Sequence, residues 1–152
     1  MRSLKEKEES SGNRQLRIFV DANTIVSGLA FEGNEALLLR LGRIGLCRLV
    51  TTRHVVEEVA RVLKAPELNV SEEDATSFLS YLNSCVRVYG NVKPQQLNKY
   101  LGRLEDKKDA HVFVAFDELK CDILVTGDKE LLRKVSGAKT TRQALKKLLG
   151  EE

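Results

Sequence analysis

The sequence is poor in the residues that mark several common chemistries. Its three cysteines, Cys47, Cys85 and Cys121, are odd in number and spaced for neither a zinc site nor a disulfide framework. They read as reduced thiols in or near a core, as in a cytoplasmic protein. Only two histidines occur, His54 and His111, and neither has a Cys or His partner at ligand spacing, so zinc is disfavoured and both read as ordinary helix residues. Aromatic residues make up 5% of the chain, a weak basis for binding by base stacking. No apolar run approaches the roughly 20 residues that span a bilayer. The opening MRSLKEKEESSGNRQ has no apolar stretch of the kind a signal peptide needs. A soluble, intracellular protein without internal repeats or low-complexity segments is expected.

What is present suits one globular domain. The chain has 152 residues and is 42% hydrophobic, enough for a single sizeable core. Residues 1–14 are charged, contain Ser and Gly and lack periodicity, so they read as a flexible tail before a domain over 15–150. The net charge is only +3, yet basic residues crowd the C-terminal half, from Lys99 and Arg103 through Lys107, Lys108, Lys129, Arg133 and Lys134 to Arg142, Lys146 and Lys147. That asymmetry permits a polyanionic partner, although solvated helix faces account for any one of these residues alone.

Along the chain, strand and helix patterns alternate. Residues 16–20 form a β-branched and aromatic run ending at Asp21, which predicts a buried strand. A helix follows from about residue 23, pauses at 31–33 and resumes over 35–43. Further strands are expected at 46–50, 86–89 and 122–126, with a poorly marked fifth at 138–140. Helices are expected over 53–64, capped by Thr51 or Thr52, and from Ser71 to about 85. Residues 94–103 are weakly helical, and helices are predicted at 107–119, 129–135 and 141–149. Alternation of this kind predicts an α/β protein, a three-layer α/β/α sandwich with a mainly parallel sheet of four to five strands. Ligands of such sheets bind at the carboxyl ends of the strands.

Four carboxylates belong near that edge. Asp21 follows the first strand, and Asp128 follows the fourth after Thr126-Gly127. Asp109 lies in the first turn of the helix before the fourth strand, where the helix dipole tolerates negative charge. Glu57 and Glu58 compete for a fourth place. At 100° per residue, Glu58 borders the Val55/Val59/Val62 stripe, whereas Glu57 points away and can pair with Arg61. Glu58 is therefore chosen. Each residue also has an ordinary explanation: Asp21 and Asp128 suit helix caps, Asp106 to Asp109 resembles a capping box, and a lone Glu58 suits a solvated helix face. Convergence is what points to chemistry. Carboxylates gathered at one edge repel, and their joint ionisation calls for a compensating hard divalent cation such as Mg²⁺.

The run Ile18-Phe19-Val20-Asp21-Ala22-Asn23-Thr24-Ile25-Val26-Ser27-Gly28 resembles the opening of PIN domains, in particular the compact prokaryotic kind that includes toxin nucleases of toxin–antitoxin pairs. Val56-Glu57-Glu58-Val59 resembles the second acidic element of that family, and Asp109-Ala110-His111-Val112-Phe113-Val114-Ala115 the third. Ile123-Leu124-Val125-Thr126-Gly127-Asp128 with the following Lys129-Glu130-Leu131-Leu132 is the most specific match. The resemblance covers residues 16–149. It implies Asp21, Asp109 and Asp128 as ligands of Mg²⁺ or Mn²⁺, with Glu58 contributing directly or through water. Asn23, Thr24, Ser27 and Thr126 would orient them. It further implies a five-stranded parallel sheet, divalent-metal-dependent cleavage of RNA, expected to be single-stranded, and frequent homodimers, with an antitoxin as a candidate partner. The order of the four carboxylates suggests that water attacks phosphorus to leave 5′-phosphate and 3′-hydroxyl ends. The polar stretch 91–104 is longer than a compact member needs.

Two other classes remain open. A degenerate module of the same fold would bind RNA or a protein without cutting, against which stand four filled acidic positions. A Mg²⁺-dependent phosphatase or phospho-acceptor domain would also place Asp after a strand. A phosphatase of that type wants a general acid two residues after the nucleophile, where this sequence has Asn23.

Overall fold

The computed structural model describes residues 15–98, 104 and 106–150. The tail expected over 1–14 and the C-terminal part of the weak helix at 94–103 lie outside the described residues. The elements are β1 (Arg17–Val20), α1 (Ala22–Ala30), α2 (Asn34–Arg43), β2 (Arg48–Thr52), α3 (Arg53–Leu63), a 3₁₀ turn (Pro66–Leu68), α4 (Glu72–Cys85), β3 (Val86–Tyr89), α5 (Pro94–Asn98), α6 (Lys107–Glu118), β4 (Ile123–Val125), α7 (Lys129–Lys134), β5 (Ala138–Lys139) and α8 (Thr141–Leu148).

The five strands form one sheet in the order β3-β2-β1-β4-β5, with every pairing parallel. Helices flank it in the expected α/β/α arrangement. The central strand shows why its sequence is apolar throughout: Ile18, Phe19 and Val20 are each 0% exposed, because both faces of a covered parallel sheet are interior. The chain leaves β1 towards β2 and β3, then returns to β1's other side for β4 and β5. This reversal opens a crevice beyond the carboxyl ends of β1 and β4, the usual ligand position in open parallel sheets.

Local chemistry accounts for the ends of the elements. Thr52, rather than Thr51, caps α3 by accepting from the Val55 amide at 3.4 Å, and Ser71 caps α4 through the Asp74 amide at 3.0 Å. Strand β2 starts two residues later than expected, because Gly45 turns the chain at φ 87° and Leu46 is left 46% exposed. It extends to Thr52 because parallel pairing with β3 runs through Thr52 and Tyr89. The fifth strand, barely marked in the sequence, has two residues, set by pairing of Ala138 and Lys139 with Leu124 and Val125. Helices α1 and α2 approach closely at Gly28, where an added Cβ would come within 2.8 Å of the Glu35 carbonyl oxygen.

All three cysteines are free, with Cys47 and Cys85 buried and Cys121 half-buried. Burial pushes the Cys47 thiol up to about 11, which makes it unreactive at neutral pH. Among the described residues no helix is long and apolar enough to cross a membrane.

Candidate active site

Asp21 ends β1 and caps α1. One carboxylate oxygen, Oδ1, accepts from the Thr24 amide at 2.9 Å, and Oδ2 accepts from the Thr126 hydroxyl at 2.6 Å. The residue is 9% exposed. Thr126 lies just beyond β4 and is 1% exposed, and its Oγ1 also accepts from the Asp128 amide at 3.0 Å. Asp128 in turn caps α7 by accepting from the Leu131 amide at 2.9 Å. Capping and convergence are therefore not alternatives at these positions. The caps fix the carboxylates, and the β1–β4 pairing brings the two capped turns side by side.

Asp109 stands differently. Asp106 takes over capping of α6 by accepting from the Lys108 amide at 2.8 Å. Asp109, 9% exposed, lies against Asp128. Burial foremost, then the charge and hydrogen bond of Asp128, then the charges of Asp106 and Glu130, push the Asp109 carboxyl up to about 7. A carboxyl shifted this far holds a proton that a cation would displace.

Glu58 completes the cleft from α3. It is half-buried and accepts from Lys108 Nζ at 3.0 Å, whereas Glu57 is exposed. Asp21, Asn23, Glu58, Lys108, Asp109 and Asp128 line one cavity of about 400 Å³ over an apolar floor of Val62, Val112 and Leu131. A second, more open groove of about 600 Å³ continues from Asp109 and Asp128 past Gly127 to Lys129 and Arg133. Anionic and cationic groups thus lie along one continuous surface.

The orienting residues expected around Asp21 divide. Thr126 engages it by side chain and Thr24 by backbone. Ser27 does not reach it: its hydroxyl donates to Glu35 Oε1 at 3.2 Å, because the close contact of α1 with α2 turns it towards α2. Asn23 is exposed at the mouth and makes no side-chain hydrogen bond among the described residues.

Three features had no counterpart in the sequence reading. Lys108 bridges to Glu58 across 50 positions, and only tertiary structure reveals that contact. Glu35 receives Ser27. His54 and His111 are more than separate helix residues, for their rings stack at 4.5 Å with an interplanar angle of 19° and join α3 to α6. Burial first, then His54, holds the His111 imidazole below its ordinary value.

Among the described residues no group of three or more His, Cys, Asp or Glu side chains is arranged to hold a metal ion. The donor set nonetheless suits a hard cation. Asp109 and Asp128 supply two oxygen donors in contact, and Mg²⁺ is usually held by one or two carboxylates with waters completing its shell. The absence of sulfur and imidazole from the cleft is consistent with that preference.

Fold and site together define an open parallel α/β protein with carboxylates gathered at its topological switch point. A family profile described as PIN domain matches residues 17–130. The chain belongs to the PIN-domain family. Its fold is similar to the crystal structure of PAE2754 from Pyrobaculum aerophilum, at TM-score 0.67 and 21% identity over 90% of this chain and 97% of that one. It is also similar to VapC20 of Mycobacterium tuberculosis, a Sarcin-Ricin loop cleaving toxin, at TM-score 0.57 and 20% identity over 76% of this chain and 93% of that one. No curated protein sequence matches the chain significantly.

Proposed function

We propose that the protein is a divalent-metal-dependent endoribonuclease that hydrolyses phosphodiester bonds of single-stranded RNA in the cleft of Asp21, Glu58, Asp109 and Asp128. The observation that carries this reading is the contact of Asp109 with Asp128 inside a cleft also lined by Asp21 and Glu58. Membership of the PIN-domain family supports it.

Asp109 and Asp128 would hold Mg²⁺ or Mn²⁺, with Asp21 and Glu58 beside them. The ion, when bound, neutralises phosphate charge and makes water a better nucleophile at neutral pH. The chain does the rest. Thr126 and the Thr24 amide fix both oxygens of Asp21, so this carboxylate is oriented before substrate arrives. Asp109, with its raised affinity for protons, would be one of the carboxylates that hold the ion, and would do so in its ionised form. Lys108 holds Glu58 and adds positive charge at the rim, and Lys129 and Arg133 line the groove along which a phosphate chain would run. Attack of water on phosphorus leaves a 5′-phosphate and a 3′-hydroxyl. Cyclic phosphate ends on a labelled product would contradict that direction of cleavage.

The reading extends to a toxin of a toxin–antitoxin pair, with an antitoxin as partner, a cytoplasmic site of action and a homodimeric state. Its support here is likeness: VapC20, a toxin, shares the fold. The deciding test is cleavage of one structured and one unstructured RNA by wild type and Asp21→Asn in Mg²⁺, Mn²⁺ and EDTA. Metal-dependent cutting that vanishes in the mutant is the expected result. No cutting under any condition by a folded protein would favour a binding module or another phosphorylated substrate.

A further inference from the structure

A second cavity, of about 350 Å³, adjoins the carboxylate cleft on the other side of the α1 N-terminus. Asn23 lines both, and Thr126 stands between them, lining this cavity while donating to Asp21. The ridge at Gly127 is bare: a Cβ built there meets nothing within 4 Å. Gly127 lines both this cavity and the groove that runs past Asp109 and Asp128, so the two share one surface.

The walls of this second cavity are polar and of mixed charge. Asn34, Thr140 and Thr141 supply amide and hydroxyl groups, Glu35 a carboxylate and Arg142 a guanidinium. Glu35 is held by Ser27 through Oε1 alone, and its Oε2 has no hydrogen bond among the described residues. Arg142 is exposed and forms no ion pair among the described residues, Glu35 included. The volume is at the lower end of the roughly 300–1,000 Å³ of small-ligand sites, room for one nucleotide rather than a duplex. A free carboxylate oxygen beside a held one is a paired acceptor. Guanine is the RNA base that presents two adjacent donors, N1–H and the N2 amino group, on its Watson–Crick edge, the edge through which splayed single-stranded bases are read. A guanidinium nearby suits the phosphate of the same nucleotide.

We propose that this cavity is a guanine subsite, in which Glu35 reads the Watson–Crick donors of an unpaired guanine flanking the scissile bond and Arg142 holds that nucleotide's phosphate. It deepens the ribonuclease reading and rests on it for the place of the scissile bond.

The test measures fluorescence anisotropy of labelled oligouridylates that carry a single central G, inosine, A or C, with the full chain in EDTA so that no strand is cut. Cleavage of the same oligonucleotides in Mg²⁺ and Mn²⁺ is followed in parallel. Wild type is expected to bind the guanine strand roughly tenfold tighter than the adenine strand, with inosine between them because it lacks the amino group. Glu35→Gln keeps an acceptor for Ser27 but turns an amide donor towards guanine, and it should erase the preference without changing the melting temperature. Arg142→Ala should weaken all four strands alike and lower the salt slope by about one. Equal binding of all four strands by wild type, or a guanine preference that survives Glu35→Gln, overturns the subsite. Guanine-selective binding without cleavage in either metal keeps it and removes the nuclease instead.

Discussion

Thr126 donates its hydroxyl to Asp21 at 2.6 Å across 105 positions of sequence, and the same oxygen accepts from the Asp128 amide. One buried side chain thus ties the carboxylate after β1 to the turn after β4. Thr126→Val leaves a buried carboxylate oxygen and an amide without partners, at a cost of roughly 1–3 kcal/mol. Thr126→Ser keeps both bonds. Thermal unfolding should show a clear drop for the valine variant and recovery to within a few degrees for serine, with cleavage following the same order. Equal melting temperatures for all three proteins would mean that the bridge contributes nothing.

Asp21→Asn should leave the fold standing, since asparagine caps helices about as well as aspartate and its carbonyl oxygen can still take the Thr24 amide. Cleavage should fall at least 100-fold. A large loss of melting temperature with cleavage reduced only in proportion would make Asp21 a structural cap and nothing more.

Asp109 carries a pH signature. Its carboxyl ionises at about 7 in the folded protein against 3.8 for an ordinary aspartate. Between those values the native state holds a proton that the unfolded chain has released, so stability in EDTA falls as pH rises through this window and levels off above it. Asp109→Asn removes the penalty and should raise the melting temperature at pH 8 by about 2–8 °C, the equivalent of roughly 1–2 kcal/mol for a chain of this size. Protons compete with a cation for the same oxygens, so wild-type cleavage at subsaturating Mg²⁺ should climb with pH, and the plateau should move to lower pH as Mg²⁺ is raised. Calorimetry at pH 5 and pH 8 decides the first point: identical pH slopes for wild type and Asp109→Asn would remove Asp109 as their source.

The ion pair of Lys108 with Glu58 is too exposed on the lysine side to matter much for stability, 65% against 20% for the glutamate. Lys108→Ala should therefore cost under about 1 kcal/mol. Glu58→Gln should lower cleavage at least tenfold, and Glu57→Gln, on the exposed face of α3, should leave it unchanged. The reverse order in a side-by-side assay would move the role to Glu57.

What could be read from the sequence followed the range of each interaction. β1 and α3 were legible because burial imposes a period on nearby residues, and that period also separated Glu58 from Glu57. Asp21 and Asp128 were visible as polar residues ending apolar runs. The path of Ser27 to Glu35 was not, since it depends on how closely α1 packs on α2 at Gly28. β5 was faint for a similar reason: two residues carry no pattern, and pairing with β4 alone makes them a strand. The stacking of His54 on His111 belongs to the same class, a contact between two helices whose own periodicities are silent about each other.

The strand order has a consequence for synthesis. Asp21 is made early and Asp128 late, yet they meet only when β4 docks against β1. A ribosome making this chain passes through every shorter intermediate without ever exposing a complete acidic cleft, because the last wall arrives after more than a hundred further residues have been joined. If the finished protein cuts RNA, its own messenger and the translating machinery are spared until the sheet has closed.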